Sequence, residues 1–204
     1  MAVITISRQS GSEGNEITRI LCERLGYGFF DKKMLAALAK EVGWDPQQVE
    51  DLSADLHHVK TLRERIASVI QAPEGPAAGG LLTYDEALTL AQVQHLILEA
   101  YNLGNVVIVG RGSQVVLADK ADVLHVRVVA PLETRIQKWQ ARLGLAHDDA
   151  LRVVEEHDKA HVDFVATYFE KDLHDPLLYD LVINTGKLSA SDAADVIIEA
   201  LKKL

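Results

Sequence analysis

Residues 4–17 read Ile4-Thr5-Ile6-Ser7-Arg8-Gln9-Ser10-Gly11-Ser12-Glu13-Gly14-Asn15-Glu16-Ile17, and this stretch decides the fold. Val3 to Ile6 is a β-branched run, the composition of a buried strand. It passes into a polar, Gly-containing segment, Ser7 to Asn15, that holds Gly11 and Gly14 with Ser10 and Ser12. From Glu16 onward Ile17, Ile20, Leu21 and Leu25 recur at helical spacing until Gly26 closes the helix. A strand that turns through glycines into a helix brings backbone amides together, and the helix N-terminus adds partial positive charge, so the arrangement suits a phosphate. Gly11 and Gly14 permit close approach because no Cβ stands in the way. Ser10 and Ser12 offer hydroxyl donors, and Arg8 offers a full positive charge. The standard loop of this kind, G-x-x-x-x-G-K-[ST], has a lysine for the outer phosphates and a hydroxyl for magnesium. Asn15 and Glu16 stand in that region here. On its residues alone, the segment also fits an ordinary strand-to-helix turn whose glycines only relieve strain.

Outward from this segment, strands and helices alternate, which predicts a parallel sheet covered on both faces. Tyr27 to Phe30, Asn105 to Val109, Val123 to Val129 and Asp180 to Asn184 are the further strand candidates, giving about five in all. His125 and Arg127 fall on alternate positions of the fourth. Lys32 to Glu41 reads as a helix, and Asp45-Pro46 opens another with Asp45 as its cap. His57 to Leu103 reads as a helical hairpin broken by the Pro- and Gly-rich run Ala72 to Gly80. Leu132 to Leu143 and Asp149 to Phe169 are helical by periodicity, and Ser189 caps a last helix running to Leu204.

Composition narrows the classes of function. The chain has 204 residues, 48% hydrophobic and 25% charged, the balance of a globular protein with room for a packed core. A net charge of -9 without a Lys/Arg block argues against binding nucleic acid through its backbone, but leaves small polyanions open. The single cysteine, Cys22, rules out an intramolecular disulfide and a thiolate metal cluster, and its neighbours Ile20 and Leu21 predict a buried structural thiol. The N-terminus lacks the basic flank and apolar run of a signal peptide, and no stretch approaches the roughly 18 apolar residues of a membrane span, so a cytoplasmic location without a membrane partner is expected.

Several blocks, in order along the chain, carry a resemblance. They are Ile4 to Arg8 with Gly11 to Ile17, Leu25-Gly26-Tyr27 with Phe29-Phe30-Asp31-Lys32, and Val109-Gly110-Arg111-Gly112-Ser113 with Val115 to Leu117. They continue through Ala121 to Arg127, Pro131 to Arg135, Glu156-His157-Asp158-Lys159, and His174-Asp175-Pro176 with Tyr179 to Thr185. Together they resemble the cytidylate kinase-like family of the P-loop nucleoside-monophosphate kinases. The resemblance implies a three-layer α/β P-loop fold in one domain over 1–204, with a helical acceptor-side insertion over 32–104 and a helical lid over 131–175. It implies transfer of the γ-phosphoryl group of ATP, with magnesium, to CMP or dCMP.

Carried over by position, Ser10, Gly11, Ser12, Glu13, Gly14 and Asn15 would bind the donor phosphates. Arg8, Arg111 and Lys159 would act as catalytic cations, and Arg111, Arg135 and Asp31 would contact nucleotide. Arg142, on the lid helix with Arg135, is a weaker candidate for packing on a base. The departures are Asn15 where relatives commonly have Arg or Lys, His161 where they have Arg, and Gly112 where cytidylate kinases have an aspartate. Arg8, Lys32, Lys33 and Lys159 are candidate replacements for the missing charge. These departures support two other readings: a nucleotide-binding regulatory protein with little turnover, and a kinase of a non-nucleotide acceptor. His157 and His161 share a helix face, but no Glu follows His157 in the H-E-x-x-H manner, and no protein-bound metal site is expected. Trp44 and Trp139 are too isolated for a base-stacking platform. The apolar faces of Leu88 to Leu103 make a homo-oligomer an open expectation.

Overall fold

The computed structural model describes residues 2–30 and 84–204. Asp31, the predicted helices from Lys32 to the first arm of the hairpin, and the run Ala72 to Gly80 lie outside the described residues. Strands β1 (Val3–Arg8), β2 (Gly28–Phe30), β3 (Val106–Val109), β4 (Val123–Val129) and β5 (Leu181–Asn184) form one sheet in the order β2-β3-β1-β4-β5. All of the pairings are parallel. The helices are α1 (Gly14–Leu25), α2 (Tyr84–Leu103), α3 (Ser113–Val116), α4 (Leu132–Leu143), α5 (His147–Phe169) and α6 (Ala190–Leu201). The expected α/β architecture is what the chain adopts, and α2 is the second arm of the predicted hairpin.

Alternation along the strands sends side chains into two separate cores. Ile4 and Ile6 of β1 join Val107, Val109, Leu124, Val126 and Val128 beneath α1 and α6, where Ile17, Leu21, Ala193, Ala194 and Ile197 meet them. Val3, Ile108 and Val123 point the other way, onto Leu90, Val93, Leu96, Ile97 and Ala100 of α2. That i, i+3, i+7 stripe explains why α2 forms and where it docks. The second face also carries polar groups. Thr5 Oγ1 lies 2.7 Å from His125 Nδ1, and Arg127 donates to Ser7 Oγ at 2.7 Å while its guanidinium lies over the Tyr179 ring. Burial pushes the His125 pKa below its usual value, against a smaller opposing pull from Asp180.

Boundaries shift for local reasons. Helix α5 begins at His147 rather than Asp149, so Asp148 and Asp149 fall in its first turn, where carboxylates favour the helix dipole. Helix α6 opens on the predicted Ser189, which forms a reciprocal capping box with Asp192. Cys22 is half-buried rather than sealed in the core, and its Sγ sits 3.6 Å from the Gly28 carbonyl.

Candidate functional site

The loop between β1 and α1 leaves the carboxyl end of the central strand, the end at which open α/β sheets bind ligands. Gly11 and Glu13 both adopt left-handed backbone, with φ of 79° and 64°. At Gly11 a Cβ would stand 2.8 Å from the Arg135 carbonyl oxygen, and at Gly14 it would stand 2.7 Å from Arg8 Cβ, so both positions require glycine for space. The turn is anchored from below. Gln9 N donates to Val128 O at 3.0 Å, Gln9 Oε1 accepts from Ala130 N, and Thr185 Oγ1 donates to Ser12 O at 2.9 Å. Among the described residues, the amides of Gly11, Glu13, Gly14 and Asn15 have no hydrogen-bond partner. They lie at the positive end of a three-turn helix, the arrangement that favours an anion.

The two serine hydroxyls are already committed within the protein. Ser12 Oγ is buried within 2.8 Å of Gln9 O and 3.2 Å of Val128 O. Ser10 Oγ accepts from Trp139 Nε1 at 2.9 Å and pairs with His157 Nδ1 at 3.0 Å. Since the indole can only donate, Ser10 is free to give its own proton to an unprotonated Nδ1. The Ser10 amide is also taken, by Asp158 Oδ1 at 2.9 Å. Asp158 Oδ2 accepts from Arg135 Nη1 at 2.5 Å, and the same guanidinium donates to Ala130 O and Ser10 O. Arg135 is 6% exposed. It holds the start of the loop from behind, rather than facing the open side.

A cleft of about 760 Å³ opens over the loop. One wall is residues 8–16 with Arg19; the other is Lys138, Trp139, Ala141 and Arg142 of α4 with His157 and His161 of α5. Of the expected cations, Arg8 lines this cleft: its Nε donates to Asn15 Oδ1 at 3.2 Å, and its Nη1 lies where a Cβ on Gly110 would come within 3.0 Å. Arg111 does not line this cleft. It stands in the turn after β3, fastened beside β1 by Gly110 N donating to Ile6 O, so it emerges at the same end of the sheet. Gly110, Arg111 and Gly112 are all left-handed, with φ of 71°, 65° and 69°, a costly conformation for the arginine. Lys159 is exposed and pairs with Asp163 at 2.6 Å. It sits about 200° around the helix from His157 and from His161, which explains why they face the cleft and it does not.

Lys138, Trp139 and Arg142 were not assigned to this wall from sequence, except Arg142 as a weak base-packing candidate. A signal was present: Arg135, Lys138, Trp139 and Arg142 follow the i, i+3, i+4, i+7 spacing of one helical stripe. The Arg142 guanidinium lies 5.3 Å over the Trp139 ring, and His157 meets that ring edge-on. Lys138 Nζ reaches Glu13 at 2.5 Å, and Glu16 pairs with Arg19, whose hydrogen bond holds the Glu16 carboxyl below its ordinary range. No group of three or more metal-binding side chains occurs among the described residues. Magnesium in phosphate sites takes only one or two carboxylates beside substrate oxygens; Glu16 lines the cleft, but both of its oxygens are held by Arg19, so it does not fit that role as it stands.

Comparison with known proteins agrees with this geometry. The chain is 31% identical to a cytidylate kinase of Pyrobaculum aerophilum over 53% of its own length and 58% of that protein. It is 28% identical to a cytidylate kinase of Thermococcus sibiricus over 99% of its own length and 89% of that protein. For several such relatives the match spans little more than half of the relative's length. Shikimate kinase from Acinetobacter baumannii superposes with a TM-score of 0.52 at 15% identity, covering 100% of this chain and 94% of that one, which shows a shared fold. With the loop, the sheet order and the cleft in place, a match to the cytidylate kinase-like family model over residues 3–187 settles the relationship: the chain belongs to that family.

Proposed function

We propose that the protein transfers the γ-phosphoryl group of ATP to a nucleoside monophosphate, CMP or dCMP by kinship. The observation that carries this reading is the set of unpartnered amides at Gly11, Glu13, Gly14 and Asn15, opening onto a cleft rimmed by Arg8, Lys138 and Arg142. In-line phosphoryl transfer asks mainly for alignment and for charge compensation at the equatorial oxygens. The loop amides hold the donor phosphates, and Arg8, which spans from Asn15 toward Gly110, carries positive charge between the loop and the acceptor side. Arg111 presents the charge for the acceptor phosphate. Magnesium, as kinship implies, would neutralise phosphate charge. Residues 131–175 act as a lid whose α4 and α5 close one wall and exclude water; by kinship, 32–104, mostly outside the described residues, would be the acceptor-side insertion. Such substrates support a cytoplasmic location.

The test is direct. Purified protein with ATP, magnesium and a panel of nucleoside monophosphates should form ADP with CMP or dCMP as the best acceptor; no ADP above background with any of them would refute the activity. A second reading, a nucleotide-binding protein with little turnover, draws support from Asn15 in the loop and His161 in the lid wall. It expects ATP binding by calorimetry with no transfer.

A further inference from the structure

We propose that Lys138, on the lid helix, supplies the phosphate-neutralising cation that the loop itself lacks, and that Glu13 is the anion it gives up when phosphate arrives. This rests on the nucleotide reading above and names how that site is regulated.

Three observations lead to it. The loop position that would carry a lysine is Asn15, whose Oδ1 is turned onto Arg8 Nε at 3.2 Å. Lys138 lines the same cleft from the opposite wall and reaches across it to Glu13. Glu13 occupies the cap position before α1 in left-handed backbone, φ 64°, yet makes no side-chain cap hydrogen bond. A carboxylate there would ordinarily turn back onto the first amides of the helix. This one reaches out to the lysine instead, and leaves the amides open.

The relative strengths favour exchange. The Lys138 and Glu13 side chains are 50% and 27% exposed, and ion pairs this open to water contribute little to stability. A nucleotide's phosphate chain carries more charge than one carboxylate, and sits on the same amides that the helix dipole makes attractive to anions. An ammonium on a flexible four-carbon stem changes partners readily, unlike the buried Arg135 fixed by three acceptors. Glu13 thus competes with the donor phosphates, for Lys138 and for the loop's field, and sets a ceiling on affinity.

The experiment measures ATP, ADP and adenosine binding to the native chain, K138M, K138R and E13Q by calorimetry, with thermal unfolding to confirm that each variant is folded. K138M should weaken ATP binding at least tenfold and leave adenosine unchanged; K138R should restore most of the loss. E13Q should tighten ATP and ADP several-fold, with adenosine again unmoved. With Lys138 already replaced, E13Q should give a smaller gain. Native ATP affinity in K138M, or an equal loss for adenosine, overturns the exchange and leaves the nucleotide reading standing. Absence of ATP binding by the native chain overturns both.

Discussion

One wall of the cleft is the loop from β1 to α1, where four backbone amides have no hydrogen-bond partner among the described residues. The other is α4 and α5, whose side chains reach across and grip the loop. The first wall is fixed by local chain geometry, two glycines and a strand-to-helix turn, and tolerates little change. The second is fixed by which residues share a helical stripe, and can trade one cation for another. Under the proposed function, the loop would set the binding geometry and the facing helices its strength.

The sharpest way to break this contrast is Gly14→Val. Its Cβ would stand 2.7 Å from Arg8 Cβ, so the loop must move, at a cost of about 1–3 kcal/mol in urea unfolding. Because the amides move with it, ATP affinity measured by calorimetry should fall about a hundredfold or more, a loss worth roughly 2.7 kcal/mol. Retained affinity would show that the amides are not the binding wall. Asp158→Ala comes next. It strips the partner from an almost buried Arg135 and releases the Ser10 amide, and should cost about 2 kcal/mol in the same unfolding measurement, less than a fully buried pair because Asp158 is 26% exposed. It also tests whether the lid wall sets the loop's position: ATP binding should weaken by less than in Gly14→Val.

Trp139→Phe removes the indole donor to Ser10 Oγ and part of the ring under Arg142, and should cost about 1 kcal/mol or somewhat more, with a few-fold change in ATP affinity. The smallest effect concerns the histidine of the sheet. Burial lowers the His125 pKa in the folded state, so the unfolded chain takes up the proton first as pH falls below the unperturbed 6.5. Stability should therefore decline below that pH, and His125→Gln should flatten the decline in urea titrations. The exposed His147 works in the opposite direction, because Glu133 and Asp148 raise its pKa, and it should be unaffected by the substitution.

How much of this was legible follows the same division. The strands at Val3, Val106 and Val123 and the glycine-bearing loop are local patterns, and each stood in the sequence before any coordinate was known. The destinations of side chains were not. Ser10 and Ser12 looked like phosphate donors, yet their hydroxyls meet His157, Gln9 and Val128, partners up to 147 residues away. Lys159 carried the right charge on the wrong side of α5, and Arg135 carried it into the interior. A charge can be read from one letter, but the direction in which it points depends on helix phase and on distant neighbours.

The turn after β3 limits which residues it can hold. Gly112 is left-handed, and a Cβ added there would come within 2.3 Å of the Phe169 ring. Any side chain at position 112 would therefore sit on a strained backbone and have to displace the aromatic ring at the end of α5. Positions 112 and 169 are thus coupled: the space that a larger residue would need at the first is filled by the ring of the second.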